Sequence, residues 1–145
     1  MKSITLMTVM CMAAVCGFSQ APTLQNLKGS YVFTQQGNMQ SNQSVTGLGV
    51  MTLDGNGNVA CNETLQLPGT NLISNCSGKY YVNSDGSGTI EIIYDAAFSA
   101  GPVSDGGDPQ IATARFKFYV AGAGKQLKAI RTENGVFVIA TFEKN

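Results

Sequence analysis

No histidine and no tryptophan occur in the 145 residues of this chain, and only 12% of it is charged. The lack of histidine removes the commonest general base and the commonest metal-ligating side chain. Charge is sparse and balanced, nine Lys and Arg against nine Asp and Glu, with no basic cluster on which phosphates could land. That excludes a nucleic-acid surface. Beyond the N-terminal segment no apolar run approaches membrane-spanning length, and no stretch carries a convincing helical period. Cysteine is scarce as well, at Cys11, Cys16, Cys61 and Cys76.

The N-terminal segment is the one apolar run. Met1-Lys2 gives a short positive start, and Ile4 to Phe18 is apolar apart from Thr5, Thr8 and Gly17. A basic start followed by an apolar run too short to span a bilayer is the pattern of a secretory signal peptide. Small residues at Gly17 and Ser19 fit cleavage before Gln20. The lipoprotein alternative, with Cys16 as the lipidated first residue, is disfavoured by the bulk of Val15. The segment 1–19 is therefore expected to be a leader and 20–145 a single domain, secreted, periplasmic or at the cell surface.

Cleavage leaves Cys61 and Cys76 as a pair in an oxidising compartment, where a bridge is the default. The register supports it. With Pro68-Gly69 as a two-residue loop, counting outward from Leu67 and Thr70 places Cys61 opposite Cys76. Directly opposed antiparallel residues sit about 5.5 Å apart or less, within disulfide reach. With these thiols bridged and no histidine, Ser-His, Cys-His and zinc constellations are all excluded. A redox-active pair would also need CxxC spacing, which is lacking.

What is present is β structure. From Gly47 to Tyr94 the chain alternates short runs rich in Val, Ile, Thr and Tyr with the reversals Asp54-Gly55-Asn56-Gly57, Pro68-Gly69 and Asp85-Gly86-Ser87-Gly88. Asx-Gly pairs tolerate the positive φ a hairpin turn needs. Leu27–Thr34 reads as a first strand after an unstructured lead-in over Ala21–Asn26, and the polar Gln35–Ser44 as a loop. Val45–Leu53, Asn58–Leu67, Asn71–Val82 and Thr89–Tyr94 follow as strands, then a long connection from Asp95 to Gln110. Ile111–Val120 alternates most regularly, with Ala112, Ala114, Phe116, Phe118 and Val120 on one face. Gln126–Arg131 and Val136–Phe142 complete eight strands. A run of sequential antiparallel strands must hide its edges, so the expected fold is all-β, an eight-stranded up-and-down barrel, with a β-sandwich as the alternative.

From Leu27 onward the pattern resembles a recurring type of small secreted bacterial β protein with the motifs LKGxYxF, DGxGxV and GxYxVxxDGxGT. The matches are Leu27–Phe33, Asp54–Val59 and Gly78–Thr89. Gly29-Ser30-Tyr31 is similar to the Gly-x-Trp opening of lipocalin-type barrels, with Tyr in place of Trp. The allene oxide cyclase barrel is a comparable calycin-like likeness. The resemblance implies a barrel and carries no chemistry of its own.

Few residues are left for chemistry. Asp54 and Asp85 lie in turns, where an Asx side chain bonding its own backbone accounts for them. Asp54-Gly55-Asn56-Gly57-Asn58 imitates the first half of a calcium loop, but the twelfth position is Leu65, so the EF-hand template fails. No metal or cofactor is expected, and Asp105 and Asp108 read as part of a glycine-rich loop rather than a calcium site. Asn42, Asn62 and Asn75 head Asn-x-Ser/Thr triplets, read as incidental. The candidate ligand-binding residues are Phe33, Phe116 and Phe118, on one face of their strands, and Glu91, flanked by isoleucines. The role expected first is non-enzymatic binding of a small apolar molecule, or a surface protein. The alternatives are a cofactor-free cyclase or isomerase using Glu91 or a tyrosine inside the barrel, and an adhesive module acting through the Gln35–Ser44 and Asp95–Gln110 loops.

Overall fold

The computed structural model describes residues 21–39, 43–95, 113–133 and 136–145. The expected leader and nearly all of the Asp95–Gln110 connection lie outside the described residues. Eight antiparallel strands close into one barrel: β1 (Gly29–Met39), β2 (Gln43–Leu53), β3 (Asn58–Leu67), β4 (Thr70–Val82), β5 (Ser87–Tyr94), β6 (Thr113–Ala121), β7 (Gln126–Glu133) and β8 (Val136–Lys144). Each strand pairs with the next. Tyr31–Asn38 of β1 pairs with Lys144–Phe137 of β8 and closes the ring, so the sandwich alternative falls away.

Strand alternation sorts the side chains into two faces. Inside lie Tyr31 and Phe33, Met51 and Leu53, Ile90 and Ile92, Phe116 and Phe118, Leu127 and Phe142, all buried. Outside lie Asn58, Asn62, Lys79, Lys117 and Lys128, all exposed or partly so. On β2 the glycines take the inner face and Leu48 and Val50 point outward. The reason is space. A Cβ on Gly49 would stand 2.7 Å from the Phe33 ring and 2.4 Å from the Asn62 carbonyl oxygen, and one on Gly47 would stand 2.5 Å from Leu65. These glycines let a narrow barrel bend while large neighbours fill its centre.

The Pro68-Gly69 loop joins Leu67 to Thr70, Gly69 takes φ 84°, and Cys61 stands opposite Cys76. The two are disulfide-bonded with Cα atoms 4.9 Å apart, as the register requires. Both turn aspartates do what Asx residues do. Asp54 Oδ1 accepts from the Asn56 and Asn58 amides at 2.7 and 2.9 Å, and Asp85 Oδ1 from the Ser87 amide and hydroxyl at 2.9 and 2.7 Å. Hydrogen bonds from Asn58 and from Ser87, respectively, hold both carboxyls below their ordinary range.

Two sequence expectations are corrected. Gln35–Ser44 is strand over most of its length: Gln35–Met39 pairs with Gly47–Gln43 on one side, and Gln35–Asn38 with Ala140–Phe137 on the other. Polar composition suggested a loop, but Gln36 and Asn38 are simply outward-facing strand residues whose backbone is paired on both sides. The lead-in is also ordered. Leu24–Leu27 forms one helical turn, α1, with a capping box between Thr23 and Asn26.

That turn plugs one end of the barrel. Leu27 is fully buried, and Leu24 packs on the core. The Tyr31 hydroxyl lies 2.9 Å from the carbonyls of both Leu27 and Gly124, with one proton to give. Burial, then the neighbouring Tyr80, pushes that phenol up to about 12. The Tyr80 hydroxyl accepts from the Gly55 amide at 3.0 Å and donates to the Leu24 carbonyl at 3.1 Å. Tyr80→Phe should therefore cost about 1–3 kcal/mol, the penalty for leaving buried backbone groups without partners. A urea unfolding midpoint unchanged by this substitution would show that the phenol does not clamp the plug.

Candidate functional site: a buried polar layer inside the barrel

The end opposite α1 is built differently. There the apolar alternation gives way to Gln35 on β1, Glu63 on β3, Ser74 on β4, Tyr94 on β5 and Arg131 on β7. Each occupies an inward position of its strand by the same period that buries its neighbours. Glu63 follows Val59 and Cys61 and precedes Leu65, and Arg131 follows Leu127 and Ala129.

Glu63 is the centre of this layer and is 2% exposed. Gln35 Nε2 donates to its Oε2 at 3.0 Å. Its other oxygen, Oε1, is fully buried and has no hydrogen bond of normal geometry among the described residues. Loss of water drives the carboxyl up to about 7, against a hydrogen bond from Tyr94 and the positive charge of Arg131, which pull it down. Tyr94 is in turn raised, by burial first and by the charge of Glu63 second. Arg131 Nη2 also donates to the Thr113 carbonyl at 3.0 Å. That bond spans a seam, because the β6–β7 ladder joins Lys117–Ala121 to Ile130–Gln126 and extends no further toward this end. Ser74, opposite Glu63 in register, turns its hydroxyl to the Asn75 carbonyl at 3.1 Å.

A cavity of about 20 Å³ sits in this layer, lined by Gln35, Tyr94 and Arg131 and by the apolar Val45, Leu65, Val136 and Val138. A single water needs roughly 10–15 Å³ and a few polar partners, so the space is that of one oxygen-sized group. The cavity itself meets a cation (Arg131), a phenol (Tyr94) and an amide (Gln35), and Glu63 stands behind them, held by Gln35.

The residues singled out from sequence divide. Phe33, Phe116 and Phe118 are all interior, and Phe33 packs on Phe142 with ring centroids 5.1 Å apart. They fill the barrel; a Cβ on Gly88 would come within 2.2 Å of the Phe118 ring. Glu91 is not brought to them. It lies on the outer face, between Lys79 and Arg115 in register, with Arg115 Nε 2.8 Å from its Oε1. There it lines an external groove of about 380 Å³ along β4, β5 and β6. The interior carboxylate is Glu63, and its signal was available: it shares strand parity with Val59, Cys61 and Leu65.

No protein-family model and no curated protein sequence matches the chain. Solved structures do. The chain is similar to a redesigned β-barrel, mFAP1, bound to DFHBI, at 13% identity and a TM-score of 0.55, over 84% of this chain and 98% of that one. It is similar to a second redesigned β-barrel, b11L5F_LGL, at 12% identity and a TM-score of 0.55, over 85% and 95%. A third, mFAP0 bound to DFHBI, matches at 14% identity and a TM-score of 0.55, over 83% and 100%. At such identities the likeness is one of fold. Among the described residues no group of His, Cys, Asp or Glu is placed to hold a metal ion, and no helix is long and apolar enough to cross a membrane.

Proposed function

We propose that this protein is a secreted, non-enzymatic binding barrel that holds a small, mainly apolar molecule at the end that carries the polar layer. The observation that carries the reading is Glu63 Oε1, a buried acceptor without a hydrogen bond of normal geometry among the described residues, whose neighbour Gln35 lines a small cavity. Such an atom costs about 1–3 kcal/mol, and a bound group that donates to it recovers that cost. Three further features support it. α1 and the two clamped tyrosines fill the far end, so a ligand would approach from the side of the polar layer. Barrels of this shape have been solved bound to DFHBI. The Cys61–Cys76 bridge and the N-terminal leader pattern both suit an oxidising compartment.

Native mass spectrometry of the mature protein purified from its own host, before and after denaturation, tests this reading. The expected result is a mass increment that disappears on unfolding. A bare mass under gentle conditions overturns the proposal.

One observation favours a second reading. A carboxyl held up at about 7 next to a phenol is the equipment of a general acid–base pair, as a cofactor-free isomerase would need. The two readings separate on the released molecule: a carrier returns it unchanged, an isomerase returns a mixture of isomers.

A further inference from the structure

We infer that the outer wall formed by β1–β4 is a self-association surface, through which two copies of this chain meet face to face about a two-fold axis. The inference does not depend on what the interior binds.

Charge distribution carries it. Between Lys28 and Lys79 the chain has no lysine or arginine, and its acids there are Asp54 and Glu63 alone. Asp54 lies in the turn between β2 and β3, and Glu63 lies inside the barrel. Every outward strand position from Ser30 to Ser77 is therefore uncharged. The outward charges gather on the rest of the wall, at Lys79, Glu91, Arg115, Lys117, Lys128 and Glu143. Because β1–β4 are neighbours in the ring, the barrel has one charged side and one uncharged side.

The uncharged side is partly apolar. Val32 stands opposite Val50, and Leu48, Thr64 and Ile73 form one row across β2, β3 and β4. Leu48 is 57% exposed and Ile73 69%, more than an isolated monomer gains by showing to water. Val, Ile and Thr are stiff at χ1, so covering them costs little side-chain freedom. Asn62 and Asn75 share a hydrogen bond across this wall, Nδ2 to Oδ1 at 2.7 Å, and keep it when water is excluded.

The occupant follows from what the wall does not offer. It has no cation for an acidic partner and no acid for a basic one. Among the described residues its outward positions also carry no aromatic ring on which a flat ligand could stack. A second copy needs none of these. A two-fold interface sets a patch against itself, so a charged patch meets its own sign and an uncharged one does not.

Sedimentation velocity of the full mature chain, between about 1 and 100 µM, tests this. The expected result is a concentration-dependent passage from the monomer mass to twice that mass. Raising the salt to about 1 M should leave the dimer intact, because no ion pair holds it. Thr64→Lys changes an exposed polar residue and leaves the core untouched, as circular dichroism would verify. It should weaken the dimer at least about tenfold, since a two-fold interface receives the new charge twice. Leu48→Lys should do the same, whereas Ile130→Lys, at an exposed position on β7, should leave association unchanged. A monomer throughout the range overturns the inference. So does a dimer that survives Thr64→Lys, or one that salt or Ile130→Lys dissolves.

Discussion

Raising the pH from about 4.5 to 8 should cost the folded protein about 3 kcal/mol through Glu63 alone. The carboxyl stands at about 7 when folded against an ordinary 4.5, and each unit of difference is worth about 1.36 kcal/mol. The sign follows from which state holds the proton. Between the two values the folded chain is protonated at Glu63 and the unfolded chain is not. The contribution is therefore complete below the unfolded value and is lost as pH rises through the folded one. Other shifted groups act elsewhere: Asp54 and Asp85 are held low and respond only at strongly acid pH, and the raised tyrosines only at alkaline pH. Urea unfolding at a series of pH values measures the slope. Glu63→Gln should flatten it, and a variant as pH-dependent as the wild type would assign the effect to some other group. A ligand that donates to Glu63 should bind the ionised carboxyl best, so it should also offset part of the loss at high pH.

Opening the disulfide is the second large effect. Cys61 and Cys76 are separated by 15 residues, and a loop of that size corresponds to about 3 kcal/mol in the chain-entropy account. Replacing both by alanine should cost more than reduction does, because both side chains lie inside the barrel. Removing buried sulfur leaves a void as well as a longer free loop, and about 1 kcal/mol more is expected. The bridge has a positional role too. Glu63 and Ser74 each stand two residues beyond a cysteine on the same face, so the crosslink fixes the two strands immediately below the polar layer. Urea midpoints with and without reductant, and for the Cys61→Ala/Cys76→Ala pair, measure these steps. Complete reduction with no change in midpoint would contradict the expectation that the crosslink restrains the unfolded chain.

The fold was legible where period and turn chemistry coincide. Pro68-Gly69 sets the centre of a hairpin, and once the centre is set a period of two leaves only one register, so Cys61 meets Cys76. The alternation Ala114, Phe116, Phe118 likewise named the inner face of β6 correctly. Sequence reading failed where composition was used in place of parity. Gln35 and its neighbours looked like a loop because they are polar, and Glu63 shows no spacing to Glu91 or Glu133 that would pair two carboxylates across a cleft. Glu91 drew attention for its isoleucine neighbours, although Ile90 and Ile92 share the face opposite to its own. A polar residue on the inner face disagrees with its strand, and Glu63 is that kind of disagreement. Short-range signals also missed α1, since one helical turn carries too few residues to show a period, although Thr23 and Asn26 do form its capping box.

Only one strand pairing in this barrel joins opposite ends of the chain, that between β1 and β8. Each of the other ladders joins consecutive strands and can zip locally, but the ring cannot close until Phe137–Lys144 is available. A chain emerging from the ribosome thus carries two bare strand edges until β8 arrives. Loss of even a short C-terminal piece would leave the same edges permanently open, next to Val32 and Ile130, which already face outward. Strand β8 therefore acts as the fastening of the molecule, and its arrival separates an adhesive ribbon from a closed barrel.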